Sequence, residues 1–156
     1  MKEKFSKRVQ SIIKQSKEEA IELGHSYVGS EHILLGLLKV NSGKGKKILD
    51  IFNININEMI NSINTRIKTS GGTLNLGHLP LTRRAERILR NSYNEASSRG
   101  DSISDDIHLL LAMLKEPEGI ASRVLKSFSL DYETVSDLIF SDDGSFLVKE
   151  IEGDKN

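Results

Sequence analysis

Cysteine and tryptophan are both absent from the 156-residue chain. Without cysteine there are no disulfides, thiolate metal sites or cysteine nucleophiles; the absence suits a reducing compartment, and the expected localisation is cytoplasmic. Aromatic residues make up only 5% of the chain, so Leu and Ile must fill the core. No stretch approaches the roughly 18 apolar residues that a spanning helix needs, and no membrane partner is expected. The start, Met1 to Val9, runs into an amphipathic pattern that already contains Lys14 and Glu18, which is not expected of a secretory signal peptide. An excess of one charge is lacking too, since 22 Lys plus Arg balance 22 Asp plus Glu. With no global field to release counterions, nucleic acid is not an expected partner.

What is present is 37% hydrophobic and 28% charged, too apolar for a disordered chain. At this length one compact unit buries about 70% of its unfolded surface and needs no staple.

The dominant feature is a repeat. Phe5 to Ile63 lies over Leu81 to Ile139 at a constant offset of 76 residues, without a gap. Arg8/Arg84, Glu19/Glu95, Gly24/Gly100, His32/His108, Leu34/Leu110, Leu35/Leu111, Gly43/Gly119 and Phe52/Phe128 are among the matched identities. Each copy reads as four helices. The first carries Phe5, Val9, Ile12 and Ala20, with Ser6 able to cap its start and Gly24 placed to end it; Leu81, Ala85, Ile88 and Ala96, with Thr82 and Gly100, repeat this. The second is short, apolar on most faces and expected to be buried, with Ser30 or Asp106 at its N-cap. The third runs over Gly43 to Phe52 and Gly119 to Phe128. The fourth carries Ile56, Met59, Ile60, Ile63 and Ile67, matched more loosely by Tyr132, Val135, Leu138 and Ile139. The expected fold is all-α, a tandem duplication of a four-helix repeat with about eight helices and pseudo-twofold symmetry. Copy one spans 5–68, a Gly- and Pro-bearing linker 69–80 and copy two 81–140. Residues 141–156 carry a formal charge of −3 and read as an acidic linker or tail.

Chemistry-bearing patterns are few. Glu31 follows Ser30 at the start of a helix, where free N–H groups and the helix dipole favour an anion and a carboxylate beside them can receive a guanidinium. The pair therefore serves either as a helix cap or as a seat for a ligand carrying both charges. His32 and His108 fall in register on apolar helices and read as core residues satisfied by a local partner. His25 and His78 lie in expected loops without an i, i+4 ligand partner, so no metal is expected. Asn41 to Lys47 fails the phosphate-loop pattern, because Val40 stands where the first glycine belongs and Lys47 where Ser or Thr belongs. Catalytic serine motifs are missing as well, and no enzyme activity is expected.

Phe5-Ser-x-Arg8, Glu18-Glu-Ala20, Leu23-Gly-His25 and Gly29-Ser-Glu-His-Ile-Leu-Leu-Gly-Leu37, followed by a degenerate second copy, resemble the N-terminal repeat domain of the Clp unfoldases, closest to the ClpC type. The resemblance covers residues 1 to about 140. It implies a non-catalytic domain that precedes two ATPase modules of the same full-length chain, receives adaptor proteins and substrate proteins, and in some members binds phosphoarginine. ATP and Mg are implied only for those ATPase modules, and no cofactor for this domain. A free-standing adaptor or regulator of proteolysis with the same fold is the alternative. The family's pocket glutamate falls on Glu31 and its hydroxyl residue on Ser6, with Ser30 nearby. In copy two only Thr82 matches; Asp106 replaces Ser30 and Ile107 replaces Glu31, which implies a degenerate second pocket.

Overall fold

In the computed structural model residues 4–67 and 79–139 are described, and they form eight helices in chain order. Copy one contributes α1 (Lys7–Glu22), α2 (Ser30–Val40), α3 (Lys44–Ile51) and α4 (Ile56–Arg66). Copy two contributes α5 (Arg83–Ser98), α6 (Asp106–Lys115), α7 (Ile120–Ser127) and α8 (Tyr132–Ile139). The expected eight-helix duplication is therefore present. Of the expected linker only Leu79 and Pro80 are described, and Leu79 packs into the core. The remainder of that linker, including His78, and the segment 141–156 lie outside the described residues.

Local chemistry explains the first helix of each copy. The Ser6 hydroxyl accepts the Val9 N–H at 3.1 Å and the Thr82 hydroxyl accepts the Ala85 N–H at 3.0 Å, each satisfying one orphan donor. Both helices close on a glycine in the left-handed region, Gly24 at φ 74° and Gly100 at φ 83°. The second helices start one residue earlier than their side chains suggest, with N-caps Gly29 and Asp105 rather than Ser30 and Asp106. The reason is the histidine three residues on. His32 Nδ1 accepts the Gly29 N–H at 2.8 Å, and His108 Nδ1 accepts the Asp105 N–H at 2.8 Å.

α2 and α6 form the centre. Leu34, Leu35, Leu110 and Leu111 are all at most 1% exposed, as expected for helices apolar on most faces. α1 packs on α2 and α5 on α6 within each copy, whereas α3 packs on α6 and α7 on α2 across the copies. At Gly36 the α1–α2 approach is so close that a Cβ would lie 2.6 Å from the Ile12 carbonyl oxygen.

The two copies are also laced together at their entrances. The Ser6 N–H donates to the Ser104 carbonyl at 2.8 Å and the Ser104 N–H to the Lys4 carbonyl at 2.7 Å. In the matched place, the Thr82 N–H donates to the Val28 carbonyl at 2.9 Å and the Val28 N–H to the Pro80 carbonyl at 2.8 Å. Each leading segment is thus held by the other copy's loop, through the parallel bridges Phe5–Ser104 and Val28–Leu81.

Candidate functional site

The crossed pairing regroups the residues singled out in the sequence. Ser6 is brought not to Ser30 and Glu31 but to the start of α6, where its hydroxyl donates to Asp105 Oδ1 at 2.9 Å. Thr82, conversely, is carried to Val28, at the entrance to α2. The two helix starts are therefore composite, each made by one copy's helix and the other copy's leading segment.

At the α6 start Ser6, Lys44, Asp101, Ile103, Asp105 and Ile107 line a cleft of about 270 Å³. Arg8 Nη1 lies 3.3 Å from Asp105 Oδ1, and the Asp106 N–H donates to the same oxygen at 2.8 Å. Burial works against the Asp105 charge, but these three donors hold its carboxyl below the usual range. Asp106 turns away from the cleft. It is 1% exposed and accepts the Gly45 N–H at the start of α3 at 2.7 Å. Burial, then the neighbouring Asp105 charge, push its carboxyl up to about 6.

At the α2 start the same positions hold different chemistry. Gly29 matches Asp105 and has no side chain; a Cβ placed on it would overlap the Glu31 carboxylate, so Glu31 folds back over the cap. Tyr27 stands beside it, 37% exposed, its phenol pKa raised by burial and by the Glu31 charge. The Tyr27 ring stacks on His25 at 5.3 Å between centroids, 4° from parallel. Ser30 is buried and, with Arg84, lies against Gly119. Arg84 reaches Glu116 at 3.8 Å and Glu118 at 3.6 Å. Tyr27, Arg84 and Arg8 were not among the expected site residues, although the register signals all three: Tyr27 pairs with Ile103 and Arg8 with Arg84.

The histidines hold these loops in place. Because His32 Nδ1 accepts a backbone N–H, its proton sits on Nε2, which meets His25 Nδ1 at 2.7 Å. Burial, and after it the electrostatic influence of the neighbouring His25, lower its pKa to about 4. In copy two Asp101 replaces His25, lying 3.3 Å from His108 Nε2, while burial lowers the His108 pKa. Among the described residues no three or more His, Cys, Asp or Glu side chains are grouped to hold a metal, and no helix is long and apolar enough to cross a membrane.

The comparisons agree with this architecture. Residues 4–128 and 81–147 match the family described as the Clp repeat (R) N-terminal domain. The chain is 37% identical over 131 residues to the chloroplastic chaperone protein ClpC1 of Oryza sativa subsp. japonica, covering 84% of this chain and 14% of that protein. To the ATP-dependent Clp protease ATP-binding subunit ClpA homolog of Guillardia theta it is 36% identical over 135 residues, 86% of this chain and 16% of that one. The chain therefore spans only about a sixth of the length of these relatives. Among solved structures, the N-terminal domain of ClpD from Arabidopsis thaliana superposes with a TM-score of 0.69 at 19% identity, covering 90% of this chain and 98% of that one. The Hsp104 N-terminal domain from Candida albicans does so at 0.72 and 17%, covering 86% and 89%. A gapless duplication whose halves share two composite helix starts, matched by the family over most of its length, makes this chain a member of the Clp repeat N-terminal domain family.

Proposed function

We propose that the domain receives adaptor and substrate proteins for a ClpC-like AAA+ unfoldase that works with a protease, and that phosphoarginine-marked proteins are among them. The domain itself carries out no catalysis, and ATP and Mg belong to ATPase modules elsewhere in the full-length chain. The length of the relatives, about six times that of this chain, supports this over a free-standing regulator. Reading the gene beyond Asn156 tests it, since an open frame entering a phosphate-loop motif is expected.

The observation that carries the phosphoarginine reading is the α2 start. The first N–H groups of the helix have no intrahelical partner, the Thr82 segment and Arg84 flank them, and Gly29 has no side chain of its own to cap them, the Glu31 carboxylate lying over it. A phosphate oxygen suits those donors. Glu31 supplies a carboxylate for the guanidinium, and the Tyr27 face a surface for it to lie against. Losing one charge-assisted hydrogen bond costs roughly 1.5 to 3 kcal/mol. Glu31→Ala should therefore weaken free phosphoarginine about ten- to a hundredfold in a calorimetric titration, with Ile107→Ala leaving it unchanged. Absence of binding in the unmodified domain would transfer recognition to other surfaces.

A further inference from the structure

The seat that an anion would take at the start of α6 is filled by the protein itself. One carboxylate, Asp105, accepts a hydroxyl from Ser6 at 2.9 Å, a helix-start N–H from Asp106 at 2.8 Å and the Arg8 guanidinium at 3.3 Å. A hydroxyl, a first-turn N–H and a guanidinium are the donors that hold phosphate oxygens at helix starts. Here all three converge on an internal group. Two of them come from the other copy, Ser6 from its leading segment and Arg8 from the first turn of α1, so the arrangement depends on the tertiary fold as well as on the cap. In copy one the matched position is Gly29, which has no side chain to cap the helix, and the Glu31 carboxylate, the group suited to a guanidinium, lies over it instead. Ile103 and Ile107, which line the copy-two cleft, stand in register with Tyr27 and Glu31, so that cleft has also lost the aromatic face and the guanidinium acceptor.

We infer that Asp105 is a built-in ligand, a carboxylate that closes the copy-two cleft to anions and restricts anion recognition to copy one. The closing of copy two rests on the geometry above; only the activity of copy one rests on the function proposed for the α2 start.

The test is a titration of the domain with inorganic phosphate, followed through the backbone amide resonances of Asp106 and Ile107. The unmodified domain should show no saturable shift there. Asp105→Gly, which reproduces the copy-one residue, should produce one, with apparent affinity at that place at least tenfold tighter than in the unmodified domain. Asp105→Ser keeps an oxygen able to cap the helix and should behave alike, which covers a failure of the glycine variant to fold. Saturable shifts at Asp106 in the unmodified domain would overturn the inference, and so would folded variants that stay silent. A parallel titration with phosphoarginine, read at the Ser30 and Glu31 amides, separates the two readings. Silence there with a gain at Asp106 in the variants sinks the phosphoarginine function and leaves the built-in ligand standing.

Discussion

Asp106 shows how far a single buried group departs from its ordinary chemistry. Its folded pKa of about 6 lies above the ordinary 3.8, so between these values the native state binds a proton that the unfolded chain does not. Its contribution is most favourable below about pH 4 and becomes less so as pH rises to 6, where the charge must sit beside Asp105. Asp106→Asn retains an acceptor for the Gly45 N–H while removing that charge. At pH 7 it should raise stability by about 1 to 3 kcal/mol, from roughly 1.4 kcal/mol per unit of pKa. The difference from the parent should shrink towards zero near pH 4. Urea titrations across that range check this, and a variant less stable at pH 7 would refute it. His32 works with the opposite sign in the same window. Its pKa of about 4 lies below the ordinary 6.5, so stability from its neutral form is complete above pH 6.5 and lost as pH falls towards 4.

Among the elements, α2 and α6 carry the greatest burden, because every residue from His32 to Leu38 on α2 is buried and α6 is buried from Asp106 to Leu114. Leu34 and Leu110 are each 0% exposed, so truncating either to Ala loses both its transfer energy and the filled volume. A loss of about 2 to 5 kcal/mol in denaturant unfolding is expected for Leu34→Ala or Leu110→Ala. This much was legible in the residues: an unbroken apolar pattern, Ser6 and Thr82 as caps, Gly24 and Gly100 as stops. The starts of α2 and α6 were not, since the cap there is completed by an imidazole three residues downstream, while Ser30 and Asp106 are turned inward. The crossed pairing was hidden for a further reason. Ser6 with Ser104 and Thr82 with Val28 join through backbone atoms, which leave no mark in side-chain identity. Two copies with the same pattern also do not reveal whether a segment pairs with its own loop or with its counterpart's. That ambiguity misplaced Ser6 beside Glu31 and concealed the role of Asp105.

For the whole molecule, the crossing decides what folds. Residues 1–72 alone would lose the Ser104 partner of Ser6, the Asp105 partner of Arg8 and the Asp106 partner of Gly45. They would also expose the faces of α2 and α3 that α7 and α6 cover. That half should be poorly ordered or aggregating; a cooperative thermal transition comparable to that of the intact domain would refute this. The laced entrances also bear on how the two halves change over generations. A contact built from two like halves could equally be made by two separate chains, as in a twofold homodimer, where each substitution is written on both faces at once. Joining the halves in one chain makes their meeting independent of concentration and releases each face from copying the other. Gly29 and Asp105 show that freedom in use: one helix start has no N-cap side chain and is covered by the Glu31 carboxylate from its first turn, while its twin is sealed by its own cap residue.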